Sequence, residues 1–146
     1  MAKILNILSA LMMIANVGVA VWFYFTTDQI AVPLHWNTVG ELDAYGKTWT
    51  ILALSAVAVL VYLVCLYAQR TAHANLPFKV ADTAKVMPRI KALYTKITFF
   101  VALLMLYVVM AVAQLYSFHV LVVYALIALM LVMYAVDLRA IYKNRK

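Results

Sequence analysis

Long apolar runs separated by short polar segments dominate the chain. No charged residue occurs between Ile4 and Phe25 or between Ile51 and Ala68, and a third uncharged run extends from Ile97 to Val136. A helix needs about 20 apolar residues to cross the hydrocarbon core of a bilayer, so the third run has the length of two crossings. Its most polar point is the segment 114–119. We therefore predict a tight helical hairpin there, formed by the helices 97–114 and 119–136.

The four predicted spans cover residues 4–25, 49–68, 94–115 and 119–138. Both halves of the hairpin are short, so we expect the third helix to begin nearer Pro88 and to project from the membrane, because proline is favoured in a first helical turn. The first run is too long for an ordinary signal peptide and continues into the aromatic residues 22–25. The sequence predicts a single domain, residues 1–146, that is all-α: an integral membrane four-helix bundle.

The composition agrees with a membrane protein. Apolar residues make up 68% of the chain and charged residues 12%, whereas soluble domains are about half apolar and a quarter charged. A soluble fold of this length buries only about 70% of the surface that its unfolded chain exposes. Lipid is therefore expected to cover the remaining apolar surface.

The basic residues predict the orientation of the bundle. Eleven of the twelve lie on one side of the four spans: before the first span, between the second span and the start of the third, or after the fourth. The loop between spans one and two holds only Lys47. The positive-inside rule then places both termini in the cytoplasm. The net charge of +7 follows from this topology, and we expect no nucleic-acid partner. The side chains expected to attract anionic lipid headgroups are Arg70, Lys79, Lys85, Arg89 and Lys91.

The predicted spans carry few polar groups. No ionisable side chain lies deep in any of them, since Asp137 falls at the inner end of the last span, and this disfavours proton-coupled transport. We interpret Asn16 as a hydrogen-bonding contact between helices, and we expect the Tyr107 hydroxyl to find a partner. The single cysteine, Cys65, excludes an internal disulfide.

The loop between spans one and two differs from the rest of the chain. Pro33 favours extended backbone around it, which would place His35 and Asn37 on one face and Leu34 and Trp36 on the other, against the membrane interface. Glycines at positions 40 and 46 permit tight turns. We therefore predict an ordered loop on the extracytoplasmic side.

The motif Pro33-x-His35-Trp36-Asn37-x-x-Gly40-Glu41-x-Asp43-x-Tyr45-Gly46-Lys47 resembles the signature of a bacterial membrane family classed as a domain of unknown function. That domain forms the N-terminal part of the Sdp-type toxin immunity proteins, and the segment 75–80 is similar to the family as well. Leu42 stands where the family commonly has proline, and the immunity proteins continue into a further helical segment. The resemblance implies a protein of the bacterial inner membrane that binds a peptide, a lipid or a membrane partner. The implied binding residues are His35, Trp36, Asn37, Gly40, Glu41, Asp43, Tyr45, Gly46 and Lys47.

Two other interpretations of the loop stay open at this point. A divalent metal such as zinc would suit nitrogen and oxygen ligands, which could come from His35, Glu41, Asp43 and His119, and this would make the protein a metal-dependent membrane enzyme. No serine or cysteine nucleophile accompanies the carboxylates, so we expect no enzyme and no cofactor beyond such a metal. The protein could also be an accessory subunit of a larger membrane complex.

Overall fold

The computed structural model describes residues 2–71, 80 and 83–143. Four helices and two strands form its regular structure. In chain order they are α1 (Ala2–Thr26), β1 (Ala31–Trp36), β2 (Leu42–Lys47), α2 (Thr50–Thr71), α3 (Thr83–Val112) and α4 (Val120–Lys143). Each helix is long and apolar enough to cross a membrane. The four predicted helices are therefore confirmed, and the chain has the features of a multi-pass membrane protein.

Helix α3 begins earlier than the sequence suggested. It starts at Thr83, so that Pro88 lies inside the helix and not in its first turn. The cause is tertiary packing: Val86, Ile90 and Leu93 form a buried cluster with Ile141 near the end of α4. Burial of these side chains stabilises the helix on both sides of the proline and offsets the one backbone hydrogen bond that proline removes.

Helix α3 is the centre of the molecule. It packs against α1 and α2, which also contact each other, and α4 packs on α3. The main buried cluster lies at the end of α3 that is nearest the strands, and it contains one strand residue, Val32, which is fully buried. Its members are Ala20, Phe23, Val32, Ile51, Val109, Val112 and Ala113. The hydrophobic core of the helices thus holds β1 in place.

Polar side chains join the helices inside this core. The amide of Asn16 donates to the Met105 carbonyl at 3.0 Å, and its oxygen accepts from the Ser55 hydroxyl at 2.8 Å. One fully buried side chain therefore connects α1, α2 and α3, which confirms the interpretation of Asn16 as a contact between helices. Near the other end of the bundle, the Gln69 amide donates to Asn6 at 3.0 Å and to Thr95 at 2.6 Å.

An ion pair connects α4 to α3. The Lys96 ammonium lies 2.9 Å and 2.7 Å from the two carboxylate oxygens of Asp137, and both side chains are mostly buried. The sequence placed Asp137 at the end of the last span beside Arg139, and the structure instead pairs it with Lys96. Each charge has an opposite partner at a position that is mostly shielded from water. A buried charge without such a partner would strongly destabilise the fold.

The turn between α3 and α4 has a defined backbone. Gln114 has a positive φ of 55°, and the N–H groups of Gln114 and Leu115 donate to the carbonyls of Ala111 and Met110, each at 3.0 Å. These two bonds are the C-terminal Schellman arrangement, in which one left-handed residue ends a helix and satisfies its last carbonyls. The helical hairpin predicted at 114–119 is therefore present, with its turn at 113–119.

Candidate binding site

The loop between α1 and α2 is a β-hairpin. Strands β1 and β2 pair in an antiparallel manner from Ala31 opposite Lys47 to Trp36 opposite Leu42. The order predicted for this loop is present, but its paired strands were not expected from the sequence, and a purely helical fold class must be extended by this small sheet. We refer to the hairpin (31–47) together with the α3–α4 turn (113–119) as the cap.

Asn37 organises the hairpin's turn. Its side-chain oxygen accepts from the N–H groups of Val39 at 3.1 Å and Glu41 at 2.9 Å, and its amide donates to the Glu41 carboxylate at 3.1 Å. Asparagine is favoured in turns because its side chain bonds the backbone in this way. Gly40 follows with a φ of +89°, and a Cβ there would lie 3.1 Å from Val120 Cγ1. The conformation and the close approach to α4 both favour glycine at this position.

Two irregularities in the strands change which side chains share a face. The pairing shifts on either side of His35, so that Leu34 and Asp43 are extra residues, as in β-bulges. As a result Pro33 and Trp36, three residues apart, line the same side of the hairpin. The alternation predicted from extended backbone is therefore wrong for Trp36, because each bulge redirects the residues that follow it.

Trp36 contacts the α3–α4 turn and does not lie on the outside with Leu34. Its indole stacks on the Phe118 ring with centroids 4.3 Å apart and planes 19° from parallel. Leu34 instead lies over Gly46, where a Cβ would come 2.0 Å from Leu34 Cδ1. Gly46 thus leaves the space into which Leu34 packs. The stack of Trp36 on Phe118 joins the two halves of the cap.

Hydrogen bonds to Tyr107, near the end of α3, hold the α3–α4 turn in place. The Tyr107 hydroxyl accepts from the His119 N–H at 2.9 Å and lies 3.2 Å from the His119 carbonyl, which supplies the partner expected for it. The Tyr116 hydroxyl donates to the Tyr107 carbonyl. Burial, and then the neighbouring Tyr107, raise the pKa of Tyr116 above its usual range, so this phenol remains a protonated donor.

Further hydrogen bonds connect the two halves of the cap with the helices. The Gln114 amide donates to the Gln29 side chain at 2.6 Å, and the Tyr124 hydroxyl on α4 donates to the Thr38 carbonyl at 3.1 Å. These contacts, like the stacking of Phe118 on Trp36, join residues far apart in the chain. They were not predicted from the sequence, in which the only signal was the aromatic content of the segment 116–119.

A cavity of about 530 Å³ lies between the two halves of the cap. This volume is within the usual range for small-ligand sites. Ala111 on α3 is buried, whereas Leu42 and Tyr45 of β2 are 36% and 68% exposed. The lining residues are Pro33, Trp36, Gly40, Leu42, Tyr45, Ala111, Gln114, Tyr116, Ser117 and Phe118. Of the predicted binding residues, the cavity therefore brings together Trp36, Gly40 and Tyr45.

The polar members of the predicted site lie outside this cavity. His35 Nδ1 is 2.5 Å from Asp43 Oδ1, and both side chains are largely exposed, at 67% and 44%. Glu41 is bonded to Asn37. Lys47 forms no ion pair with Asp43 or Glu41 in the part of the chain that the structure describes.

The four proposed metal ligands do not come together. Within residues 2–71, 80 and 83–143, no three His, Cys, Asp or Glu side chains are close enough to hold a metal ion. Only His35 and Asp43 meet, while His119 bonds Tyr107 through its backbone. A zinc ion takes four ligands in structural sites and three in catalytic ones, so the metal site stays a prediction, of which the described residues bring together two ligands.

The residues predicted to contact anionic lipid occupy the far end of the molecule. Arg70 lies in the last turn of α2, and Lys85, Arg89 and Lys91 are exposed in the first turns of α3. Lys79 lies outside the described residues, as do positions 75–79 of the family-like segment.

No family model, curated protein or solved structure matches the chain.

Proposed function

We propose that the protein is a multi-pass protein of the bacterial inner membrane, with both termini in the cytoplasm and the cap on the outer side. Large apolar side chains support insertion, because they are exposed on three helices: Ile14 is 69% exposed on α1, Leu60 62% on α2 and Leu121 76% on α4. Exposed apolar surface of this extent marks contact with membrane or protein. The basic ends of α2, α3 and α4 support the orientation. On the cytoplasmic side these basic side chains contact anionic lipid headgroups.

We further propose that the protein acts by binding a ligand from the outer side. The observation that carries this proposal is the cavity of about 530 Å³ between the hairpin and the α3–α4 turn. Its walls are held by the Trp36–Phe118 stack and by the bonds of Asn37 and Tyr107. A site whose walls are fixed before binding loses little conformational entropy when the ligand enters. The cap is therefore suited to recognition.

The resemblance to the membrane domain of Sdp-type immunity proteins supports the same proposal. Three residues of the shared motif have structural tasks in the hairpin: Asn37 and Gly40 form its turn, and Gly46 admits Leu34. Trp36 and Tyr45 remain to line the cavity. The motif thus specifies a hairpin with an aromatic inner face, and we propose that an immunity-like protein would meet its target there.

Cysteine labelling tests the orientation. In a Cys65→Ala background, a cysteine at Thr38 in the hairpin's turn is expected to react with an impermeant maleimide in intact cells. A cysteine at Ala84, in the first turn of α3, is expected to react only after the membrane is opened. Equal labelling of both positions in intact cells, or the reverse pattern, would overturn the proposed topology.

Photo-crosslinking tests the binding site. Benzoylphenylalanine at Leu42 faces the cavity, whereas the same group at Leu34 lies over Gly46 on another side of the hairpin. After irradiation of intact cells, mass spectrometry is expected to show one recurrent adduct from position 42 and none from position 34. Equal adducts from both positions, or none from either, would contradict a binding role for the cavity.

A further inference from the structure

One edge of the hairpin is free. The sheet has two strands, and within the described residues no third strand pairs with β2. The other edge of the hairpin belongs to β1, which contacts α3 and contains Pro33, a residue without an N–H group. A strand edge with unpaired N–H and C=O groups is a template for an added strand. In this hairpin the edge of β2 is the one without a proline.

The register identifies the groups that face this edge. The Thr48 N–H donates to the Ile30 carbonyl at 3.3 Å. Because hydrogen-bonded and non-bonded pairs alternate in an antiparallel ladder, the pair Pro33–Tyr45 is a non-bonded one, which suits proline. The backbone N–H and C=O of Tyr45 consequently point away from β1, towards the free edge.

The same edge borders the cavity. The side chains of Leu42 and Tyr45 line it from β2, and both are exposed. A chain lying along β2 would alternate its side chains between the two faces of the sheet. Those on the face of Tyr45 would enter the cavity, whose walls include the stacked rings of Trp36 and Phe118, and large apolar groups find aromatic partners there.

The charge of the cap and its surroundings distinguishes between an anionic and a cationic ligand. The segment between α1 and α2 carries Asp28, Glu41 and Asp43 against Lys47, a net charge of −2, of which −1 lies within the cap, in a chain whose net charge is +7. The α3–α4 turn adds no Asp, Glu, Lys or Arg. An anionic lipid headgroup is therefore disfavoured at the cap, and a positively charged partner is favoured.

We propose that the cavity's ligand is an extended, positively charged peptide that adds to β2 as a third strand and places a large apolar side chain in the cavity. This inference rests on the proposed function. Main-chain hydrogen bonds to the edge supply affinity in such complexes, and pockets for alternate side chains supply specificity. The hairpin provides the first and the cavity provides the second.

The peptide acetyl-Lys-Trp-Lys-Trp-Lys-amide is a suitable probe. It is titrated by calorimetry into the purified protein in phosphatidylcholine nanodiscs, with empty nanodiscs as the blank. One analogue is N-methylated on the backbone amides of both tryptophans, and the other on the backbone amides of the lysines. In an extended strand these two sets of amides point to opposite edges. Because a methylated amide cannot donate to β2, we expect one analogue to bind at least about tenfold more weakly and the other within about twofold of the parent.

Variants of the peptide and of the protein complete the experiment. The glutamate analogue acetyl-Glu-Trp-Glu-Trp-Glu-amide is expected to bind at least about tenfold more weakly, in keeping with electrostatic complementarity. Ser117→Trp fills the cavity and should abolish binding, while Leu115→Trp, in the same turn but outside the lining, should preserve it.

The outcomes separate the two proposals. Binding that Ser117→Trp blocks, with both N-methylated analogues equal to each other, would overturn strand addition and leave the cavity as the site. Binding no stronger than to empty nanodiscs, or equal binding of the glutamate analogue, would overturn the peptide inference. The crosslinking from Leu42 decides the proposed function independently of either result.

Discussion

The interior of the helix bundle and the cap use polar side chains in different ways. In the interior, Asn16 is fully buried and both ends of its amide are bonded to other helices. In the cap, Asn37 is accessible and bonds the backbone of its own turn, while Trp36 and Tyr45 border an open cavity. Asn16 is therefore closed to a ligand because it is fully buried, whereas the aromatic walls of the cap are accessible. The difference directs the search for function to the cap.

The largest effect is expected from breaking the interior contact. Asn16→Leu removes two hydrogen bonds and leaves the Ser55 hydroxyl buried without its acceptor, so the free energy of unfolding should fall by about 2 kcal/mol. Ser9→Ala is the matched control, since Ser9 is equally buried but bonds only the Leu5 carbonyl of its own helix.

Unfolding in detergent, followed by circular dichroism, measures both changes. If Asn16→Leu were no more destabilising than Ser9→Ala, the interior hydrogen bonds would not be what joins the three helices. Peptide binding by the folded Asn16→Leu protein should be unchanged, because the cavity lies at the end of the bundle.

A smaller and more local effect is expected from breaking the cap. Phe118→Ala removes the ring on which Trp36 stacks, a contact of about 1 kcal/mol beyond the buried area. Hydrogen exchange in residues 31–47 should accelerate about fivefold or more, while exchange in the middle of α1 and α2 should not change. Phe25→Ala, which removes an exposed ring at the end of α1, is the control and should leave the hairpin unaffected. Acceleration throughout the helices would mean that the cap and the bundle form one cooperative unit.

The smallest effect is expected from the exposed His35–Asp43 pair. Exposed ion pairs contribute at most about 1 kcal/mol, so His35→Ala should shift the melting temperature by no more than a few degrees. EDTA should change the melting temperature of neither the wild-type protein nor His35→Ala. A chelator lowers stability only by removing a metal ion that is bound to the folded state. Chelator-sensitive melting of the wild type alone would restore the metal hypothesis.

The sequence predicts some parts of this structure far better than others. The helices follow from runs of apolar residues, a local signal that is complete within each segment. The hairpin depends on two bulges, which place residues three apart on the same face and conceal the strand alternation. The cavity requires Trp36 to meet Phe118, and nothing local to either residue indicates this contact. The start of α3 was missed for a similar reason, since Ile141 from the far end of the chain stabilises the turn at Val86.

The motif residues show how much of a site a pattern alone can identify. Asn37 was predicted as a binding residue, and its side chain forms the turn through bonds to Val39 and Glu41 that the sequence alone does not show. Gly40, expected both to permit a turn and to bind, lies in the turn and also lines the cavity. Tyr45 and Trp36 line the cavity as expected of binding residues. A motif thus records which side chains a hairpin needs, and the structure separates those that shape the site from those that line it.

A cysteine crosslink tests most directly whether the hairpin covers the α3–α4 turn. A Cβ at Gly40 would lie 3.3 Å from Val120 Cβ, near the separation of about 3.5–4.5 Å in disulfides. In a Cys65→Ala background with a mild oxidant, Gly40→Cys with Val120→Cys should oxidise faster than Gly40→Cys with Leu121→Cys, and both pairs carry the same backbone strain at position 40. Gly40→Cys with Leu121→Cys, in which the second residue is 76% exposed, should oxidise slowly. Equal rates for the two pairs would contradict the position of the hairpin and the cavity within the cap.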